Sequence, residues 1–398
     1  MWQQISSNKK KTIFIMFFMA MFLLGLGYIG GYLLYGVNFA LDGVLIASVI
    51  WLILTLVTYF QGDNIVLAMG NAQKITHDDN PQLFNIVEEM SIAAGLPKVP
   101  DVYIIDEPAP NAFATGRNPK KAAVAVTVGL LKMLNREELQ GVIAHEIAHI
   151  KNRDTLYMLF AIVMLNAIII MANMFTRTRM RSSRQSSSKG SQVEIIIIIA
   201  CYLILLLSPL IANLLYLAIS RKREYLADAS AALFTRYPKG LANALAKISG
   251  TTIKMKSANN LTAPMYIVNP LAFNAKENKL KDITSTHPAT SKRIEILYNM
   301  AGADVVAYEK AYEQVNNQKI FSSSLLNNAT TVSAIVPTPD TGNSLDAKIE
   351  RARDTENMMW KLDKYIVQTC ECGTKIKVPP CYKGTVITCP HCKNKLKF

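Results

Sequence analysis

Hydrophobic and polar positions along this chain are grouped in long blocks, and four of the blocks lack any charged residue. They cover residues 13–35, 43–60, 156–175 and 195–219. A helix rises ~1.5 Å per residue, so about 20 residues cross the ~30 Å hydrocarbon core of a bilayer. The pattern predicts two transmembrane hairpins, at residues 1–62 and 155–219. A secretory signal is the alternative for the first block, and buried core helices are the alternative for the last two.

Between these blocks the pattern is that of a soluble α+β domain in two parts, residues 63–154 and 220–320. Helical spacing of apolar residues, β-type runs and Gly or Pro breaks predict its elements. The predicted helices are Pro81–Ala94, a helix through Asp228 to Leu233, Leu241–Ile248 and Ser291–Met300; the predicted strands are Asp101–Ile105 and Ala122–Val128, with an extended segment at Asn111–Arg117 between them.

The helix after the second strand carries the pattern His-Glu-Ile-Ala-His at residues 145–149. Asn135 and Glu138 predict a capping box at its start. His145 and His149 lie one turn apart on the same face, so their imidazoles converge on one zinc ion, and Glu146 lies beside them as a general base. The alternative is two ordinary histidines, but chance rarely produces this pattern in a chain with only five His.

The chain resembles a family over several motifs: the run from about Ala68 through Pro110–Gly116, the HEIAH helix with residues 151–154, and the membrane segments on either side. These are similar to the HtpX-like membrane zinc metalloproteases, relatives of the CaaX prenyl proteases. The resemblance implies that the third zinc ligand is the glutamate of an E-x-x-x-D pattern, here Glu224 with Asp228.

Local chemistry supports that assignment, since Glu224 and Asp228 are one helical turn apart. Glu224 can then bind zinc while Asp228 accepts a hydrogen bond from a ligating imidazole. The alternative is a pair of surface charges on an exposed helix. The resemblance also extends to Thr286-His287-Pro288, where His287 is a candidate for binding the oxyanion or, equally, a residue packed at a helix entry.

The segment Asn111–Thr115 predicts an edge strand for the substrate. An extended peptide would add to Asn111, Ala112 and Phe113 through main-chain hydrogen bonds, which orient a substrate without demanding a sequence.

The net charge of +14 does not by itself indicate nucleic acid, because much of the basicity flanks membrane segments or lies in the last 35 residues. Nucleic acid is unlikely as a partner. Lys9, Lys10 and Lys11 before the first span place the catalytic domain in the cytoplasm. Five basic residues between 177 and 189 would then lie outside, so we expect the last two blocks to span weakly or re-enter. The resemblance suggests a bacterial inner (plasma) membrane.

A Ser-, Asn- and Pro-rich linker is predicted within residues 321–365, followed by a zinc-ribbon-like module at 366–398. Its ligands would be Cys370, Cys372, Cys389 and Cys392, with Cys381 or His391 as alternatives to Cys370 because the first knuckle is C-x-C. A redox pair and unpaired structural thiols are the competing interpretations.

Together these patterns predict a membrane-bound zinc metalloendopeptidase with one catalytic and one structural zinc, acting on misfolded or misassembled membrane proteins. The alternatives are a CaaX-type processing protease and a non-catalytic zinc-binding membrane adaptor. Glu146 argues against the adaptor, because zinc binding alone does not require a carboxylate there.

Overall fold

The computed structural model describes residues 13, 16–17, 20–32, 36–156, 158–160, 163, 170, 221–258, 262–270, 288–327, 329, 331–335, 344–380, 384, 386–388 and 389–397. Over these residues the protein is a mostly helical α+β fold. The helices are α1 (Ala20–Tyr32), α2 (Ala40–Met69), α3 (Pro81–Ala94), α4 (Val128–Met133), α5 (Arg136–Asn152), α6 (221–235), α7 (Pro238–Ser249), α8 (Thr290–Tyr298), α9 (Val305–Asn316), α10 (Ser323–Leu326) and α11 (Leu345–Leu362). The strands are β1 (Gln73–Lys74), β2 (Asp101–Ile105), β3 (Ala112–Asn118), β4 (Lys121–Thr127), β5 (Ile366–Thr369), β6 (Lys375–Val378), β7 (Val386–Thr388) and β8 (Lys395–Lys397).

Helices α1 and α2 form a close pair through small residues. A Cβ atom at Gly27 would lie 2.5 Å from the carbonyl oxygen of Gly43 and 2.6 Å from the Cβ of Ala47. Gly31 meets the backbone of Phe39 in the same way. Small residues four apart let two helices pack backbone to backbone, which is typical of membrane helix pairs.

Helix α2 is the one helix among the described residues that is long and apolar enough to cross a membrane, with 30 residues and an 18-residue stretch of mean hydropathy 2.4. It continues nine residues past Phe60, where the predicted apolar block at residues 43–60 ends. The sequence predicted a soluble domain from Asn64 onward. The extension is stable because Val66 and Leu67 pack against Phe113 and the neighbouring strands.

A four-stranded sheet in the order β1-β2-β4-β3 carries the rest of the domain. Strand β2 runs parallel to β4, whereas β3 pairs antiparallel with β4 and lies at the edge. The predicted helix Pro81–Ala94 and strand Asp101–Ile105 are confirmed. Strand β4 ends one residue early because the Thr127 hydroxyl accepts a hydrogen bond from Leu130 N and caps α4.

One large hydrophobic core joins one face of the sheet to α3, α5, α6 and α7. Helix α5 lies centrally, in contact with α3, α7, β3 and β4. At Gly141 it approaches the backbone of α7 so closely that a Cβ atom would meet Leu241 N at 2.6 Å. The helix that carries the predicted metal ligands is therefore fixed from several sides.

The predicted linker differs from the structure. Glu309 accepts hydrogen bonds from the backbone of Ile320 and Phe321, and Asp304 accepts one from Val332. Residues 345–362 then form α11, which packs on α4. This segment is attached because carboxylates at the start and middle of α9 satisfy its backbone N–H groups, and because Met358 enters the core.

Several predictions fall outside the described residues. They concern His287, most of the second hydrophobic hairpin at 155–219, and the basic loop within it.

Candidate metal centre and active site

Helix α5 begins and ends where local sequence signals place it. The Asn135 side chain accepts from Glu138 N at 2.9 Å, and the Glu138 carboxylate accepts from Asn135 N at 3.0 Å, so the predicted capping box is confirmed. Arg153 ends the helix in the left-handed conformation, with φ 59°. His145 and His149 lie between these caps and are buried.

The structure brings His145, His149 and Glu224 together. The two Nε2 atoms are 3.2 Å apart, and the Glu224 carboxylate oxygens lie 3.6 Å from His145 Nε2 and 3.5 Å from His149 Nε2. Ligand atoms held ~2.0–2.2 Å from a tetrahedral zinc ion are separated by about 3.3–3.5 Å. Two imidazoles and a carboxylate are also a donor set of catalytic zinc sites, which keep a fourth position open. The residues present therefore fit a zinc ion.

A carboxylate lies behind each imidazole. Asp228 Oδ1 is 2.9 Å from His145 Nδ1, and Asp154 Oδ2 is 3.5 Å from His149 Nδ1. Such a pair keeps the proton on Nδ1 and aims Nε2 at the metal position. Asp228 lies where the sequence predicted it. Asp154 was missed, although its position just beyond the C-cap of α5 is a sequence signal.

Arg293 on α8 completes this arrangement and was also missed. It is fully buried and holds Asp228 with two hydrogen bonds, from Nε at 2.8 Å and from Nη2 at 2.7 Å. Its Nη1 donates to the carbonyl oxygen of Ile267 at 3.1 Å. A bidentate guanidinium–carboxylate pair is rigid as well as strong. Arg293 therefore fixes the orientation of Asp228 and, through it, of His145.

The buried ionisable groups in this site shift one another's pKa values. Burial lowers the pKa of His145, but hydrogen bonds to Asp228 and Glu224 outweigh that effect and raise it to about 9. Burial raises the pKa of Asp228, yet the charge of Arg293 and its hydrogen bonds leave that pKa below the usual value. The pKa of Glu146 is raised, with burial as the main cause. Arg293 thus favours the ionised form of Asp228, whereas burial makes the Glu146 carboxyl bind a proton more tightly than usual.

Strand β3 borders Glu146, and the backbone N–H of Ala114 hydrogen-bonds its carboxylate. The start of this strand is already paired with another segment of the chain. Ile267 N donates to the carbonyl oxygen of Ala112 at 3.0 Å, and the Asn111 amide pairs with the backbone of Val268 in both directions, at 2.8 and 3.4 Å.

This corrects the predicted substrate strand. Residues 111–116 are all buried, and the segment 266–268 pairs with Asn111 and Ala112. Ala114 is a residue of β3 that lies beside Glu146. The sequence did not reveal this, because the covering segment is more than 150 residues away along the chain.

The C-terminal cysteines also converge, from the ends of two short hairpins. The hairpins β5–β6 and β7–β8 each place two cysteines at the turn. Cys370 Sγ lies 3.3 Å from Cys392 Sγ, and Cys372 Sγ lies 3.8 Å from Cys389 Sγ. The four sulfur atoms form one group that is able to hold a metal ion, and His391 does not belong to it. Cys381 lies outside the described residues.

A histidine pair one turn apart, a glutamate from a later helix and an edge strand beside the intervening glutamate define a zincin-type metallopeptidase. A sequence profile of peptidase family M48 matches residues 77–301, and the chain belongs to that family. The predicted resemblance is confirmed: the protein is a membrane-bound metalloprotease, and proteases of this family use zinc.

Two relatives illustrate the similarity. The chain is 44% identical to a Protease HtpX homolog of Dictyoglomus turgidum over 300 residues, which is 75% of this chain and 94% of the relative. It is 42% identical to a Protease HtpX homolog of Streptococcus uberis over 303 residues, covering 75% of this chain and all of the relative. The crystal structure of S. mikatae Ste24p aligns with 75% of this chain and 67% of its own, at a TM-score of 0.41 and 19% identity.

Proposed function

We propose that His145, His149 and Glu224 hold the catalytic zinc and that Glu146 is the general base of an endopeptidase acting on misfolded or misassembled membrane proteins. The observation that carries this proposal is the buried cluster of three ligand atoms with Glu146 beside it and the edge of β3. A zinc ion bound there would polarise the scissile carbonyl and acidify a water molecule.

The role of Glu146 follows from its surroundings. Its carboxylate is buried next to the ligands, and its raised pKa suits a group that takes a proton from the attacking water and passes it to the leaving amine. The hydrogen bond from Ala114 N–H keeps the carboxylate at the edge of β3. The base is therefore positioned beside the place where a substrate backbone would lie.

Substrate binding would use the edge of β3 at Ala114, beside Glu146, as the place where an extended peptide adds. Main-chain pairing is largely independent of sequence, which suits a protease that acts on many damaged proteins. Residues 266–268 would form the end of this cleft, since they already pair with Asn111 and Ala112.

The membrane arrangement we propose is multi-pass, with the catalytic domain on the cytoplasmic side of the plasma membrane. The close packing of α1 on α2 supports an N-terminal hairpin, and Lys9, Lys10 and Lys11 support its orientation.

We also propose a second, structural zinc ion at Cys370, Cys372, Cys389 and Cys392. Four thiolates are a donor set of structural zinc sites. Their convergence from two hairpins with similar turns supports the proposal: Cys370 N bonds the carbonyl oxygen of Thr374 at 2.9 Å, and Cys389 N bonds that of Asn394 at 2.8 Å.

The test uses the full-length protein, a casein assay and zinc quantification. Glu146→Gln should lower peptide hydrolysis by ~10²- to 10⁴-fold, the range for loss of a general base, while zinc content stays at the wild-type level. Glu224→Gln should lower zinc content and activity together. Glu89→Gln is the matched control, since Glu89 is half exposed and pairs with Arg136 away from the site. Wild-type cleavage by Glu146→Gln would refute the proposed base, and full zinc occupancy in Glu224→Gln would refute the proposed third ligand.

A further inference from the structure

A cavity of about 550 Å³ lies where α2, β3 and the end of α5 meet. Its wall is mainly apolar. It includes Leu56 and Phe60 of α2, and Leu156 and Phe160, which follow helix α5 in the chain. Two arginines, Arg117 and Arg153, complete the wall. This cavity is separate from the zinc site, whose residues do not line it.

The two guanidinium groups leave the cavity with positive charge. Arg117 lies over the rings of Tyr59 and Phe60, at 5.4 and 5.7 Å from their centroids. Arg153 is exposed at the left-handed C-cap of α5. Neither arginine forms an ion pair with an acidic side chain in the part of the chain that the structure describes. The adjacent carboxylate, Asp154, is directed toward His149.

The position of the cavity along α2 corresponds to a membrane surface. Tyr59 and Phe60 end the apolar block at residues 43–60, and the polar Gln61 and the charged Asp63 follow them. Aromatic side chains at the end of a membrane helix lie at the headgroup level. Leu156 begins the next apolar block at the same level, because it lines the same cavity.

An apolar wall at headgroup depth, with two arginines at its rim, complements a lipid that carries a phosphate. Arginine binds phosphate oxygens through a planar, bidentate set of donors, and basic residues attract anionic lipids. The Thr55 hydroxyl adds a buried polar atom to the wall that has no hydrogen-bond partner among the described residues. We propose that this cavity binds an anionic phospholipid, with its phosphate between Arg117 and Arg153 and an acyl chain along the apolar wall.

The cavity adjoins the catalytic elements on both sides. Arg153 immediately precedes Asp154, and Thr155 donates to the carbonyl oxygen of Gly116 on β3 at 2.7 Å. A lipid bound here would hold both the end of helix α5 and strand β3 against the membrane surface. The proposal rests on the membrane-bound state of the protein and not on the assignment of the catalytic residues.

The test compares lipids on the zinc-loaded, full-length protein in a neutral detergent. Phosphatidylglycerol should bind in native mass spectrometry and raise the unfolding temperature, whereas phosphatidylcholine and inorganic phosphate should do neither. Arg117→Gln and Arg153→Gln should each weaken phosphatidylglycerol binding by roughly fivefold, from the ~1 kcal/mol that one basic residue contributes at an anionic surface. Arg353→Gln on the exposed face of α11 is the control and should bind like the wild type.

The contact of Arg117 with the two rings also contributes to folding. Arg117→Lys with Arg153→Lys is therefore the companion variant and should keep most of the lipid binding. Equal effects of both lipids, an undiminished response in the double glutamine variant, or equal loss in the lysine pair would overturn the proposal. An equal response to inorganic phosphate would make the site a phosphate site. A higher KM for peptide in the glutamine variants, with lipid binding unchanged, would assign the cavity to substrate.

Discussion

The two clusters of metal-binding side chains are built in opposite ways. His145, His149 and Glu224 are buried and come from two helices of the main core, with Asp154 and Asp228 behind the imidazoles. The four cysteines come from the turns of two two-stranded hairpins; Cys370 and Cys389 are buried, whereas Cys372 is exposed. The first cluster is held in place by the fold. The second is held by its own turns and by the contacts of Lys377 with Asn357 and Trp360 of α11.

This difference shows what each ion would contribute. Two-stranded hairpins are marginally stable by themselves, so we expect that the C-terminal module would need the proposed zinc ion to fold. The catalytic cluster is oriented by hydrogen bonds among protein groups, above all those of Arg293 to Asp228. Its metal would serve chemistry and add less to folding.

Metal removal should give the largest difference between the two clusters. Chelation of the full-length protein should abolish peptidase activity and unfold residues 366–397, while α3, α5 and the sheet keep their protection. The reason is that structural zinc contributes ~10–16 kcal/mol of apparent binding free energy in small zinc modules. Hydrogen exchange followed by mass spectrometry measures both regions at once. Unchanged exchange in 366–397 after zinc loss would contradict the proposed structural ion.

The next effect tests whether Arg293 holds the catalytic cluster in the absence of metal. Arg293→Gln leaves Asp228 as a buried carboxylate without its cation, and breaking a buried pair in this way costs about 3–5 kcal/mol of unfolding free energy. Thermal unfolding of the zinc-free protein measures the loss. Arg136→Gln, which removes a half-exposed pair with Glu89, should cost under about 1 kcal/mol. Equal losses in the two variants would show that Arg293 has no special structural role.

A smaller effect compares the two carboxylates behind the imidazoles. Asp228→Asn and Asp154→Asn should each weaken zinc binding by about 10- to 100-fold, the usual cost of losing such a partner. The loss should be greater for Asp228, whose contact with its imidazole is 2.9 Å against 3.5 Å for Asp154. Competition with a chromophoric chelator gives the two affinities. The reverse order would show that contact length does not rank these carboxylates.

The smallest effect concerns how the C-terminal region is attached. Lys132 pairs with Glu356 on α11 at 3.0 Å, but both side chains are partly exposed. Lys132→Met should therefore change the unfolding free energy by less than about 1 kcal/mol. Helix α11 should stay docked because Met358 remains in the core. Release of α11 in this variant, detected by limited proteolysis before residue 345, would show that the ion pair carries the attachment.

The features that the sequence predicted well are local ones. The capping box at Asn135, the one-turn spacing of His145 and His149, and the Gly95 stop of α3 depend on residues a few positions apart, so their chemistry is visible in the chain. The placement of Cys370 with Cys372 and of Cys389 with Cys392 at two turns is local in the same way.

What the sequence did not predict depends on distant contacts. Arg293 is 65 residues from Asp228, and nothing around it distinguishes it from other basic residues on a helix. Coverage of Asn111 and Ala112 likewise depends on Ile267 and Val268. Helix α11 was missed for another reason: its Ser344 cap was a usable signal, but the preceding Ser-, Asn- and Pro-rich run dominated the interpretation.

The unbroken length of α2 sets the distance between the hydrocarbon core of the membrane and the catalytic domain. Thirty residues extend about 45 Å, and the hydrocarbon core takes up ~30 Å of that. The remaining turns of α2 extend beyond the hydrocarbon core to the point where Val66 and Leu67 pack against the sheet beside β3. This extension of about 15 Å holds strand β3 clear of the lipid tails yet close to the membrane surface. On the proposed function, the peptide bonds within reach would be those in tails and loops that emerge from the bilayer.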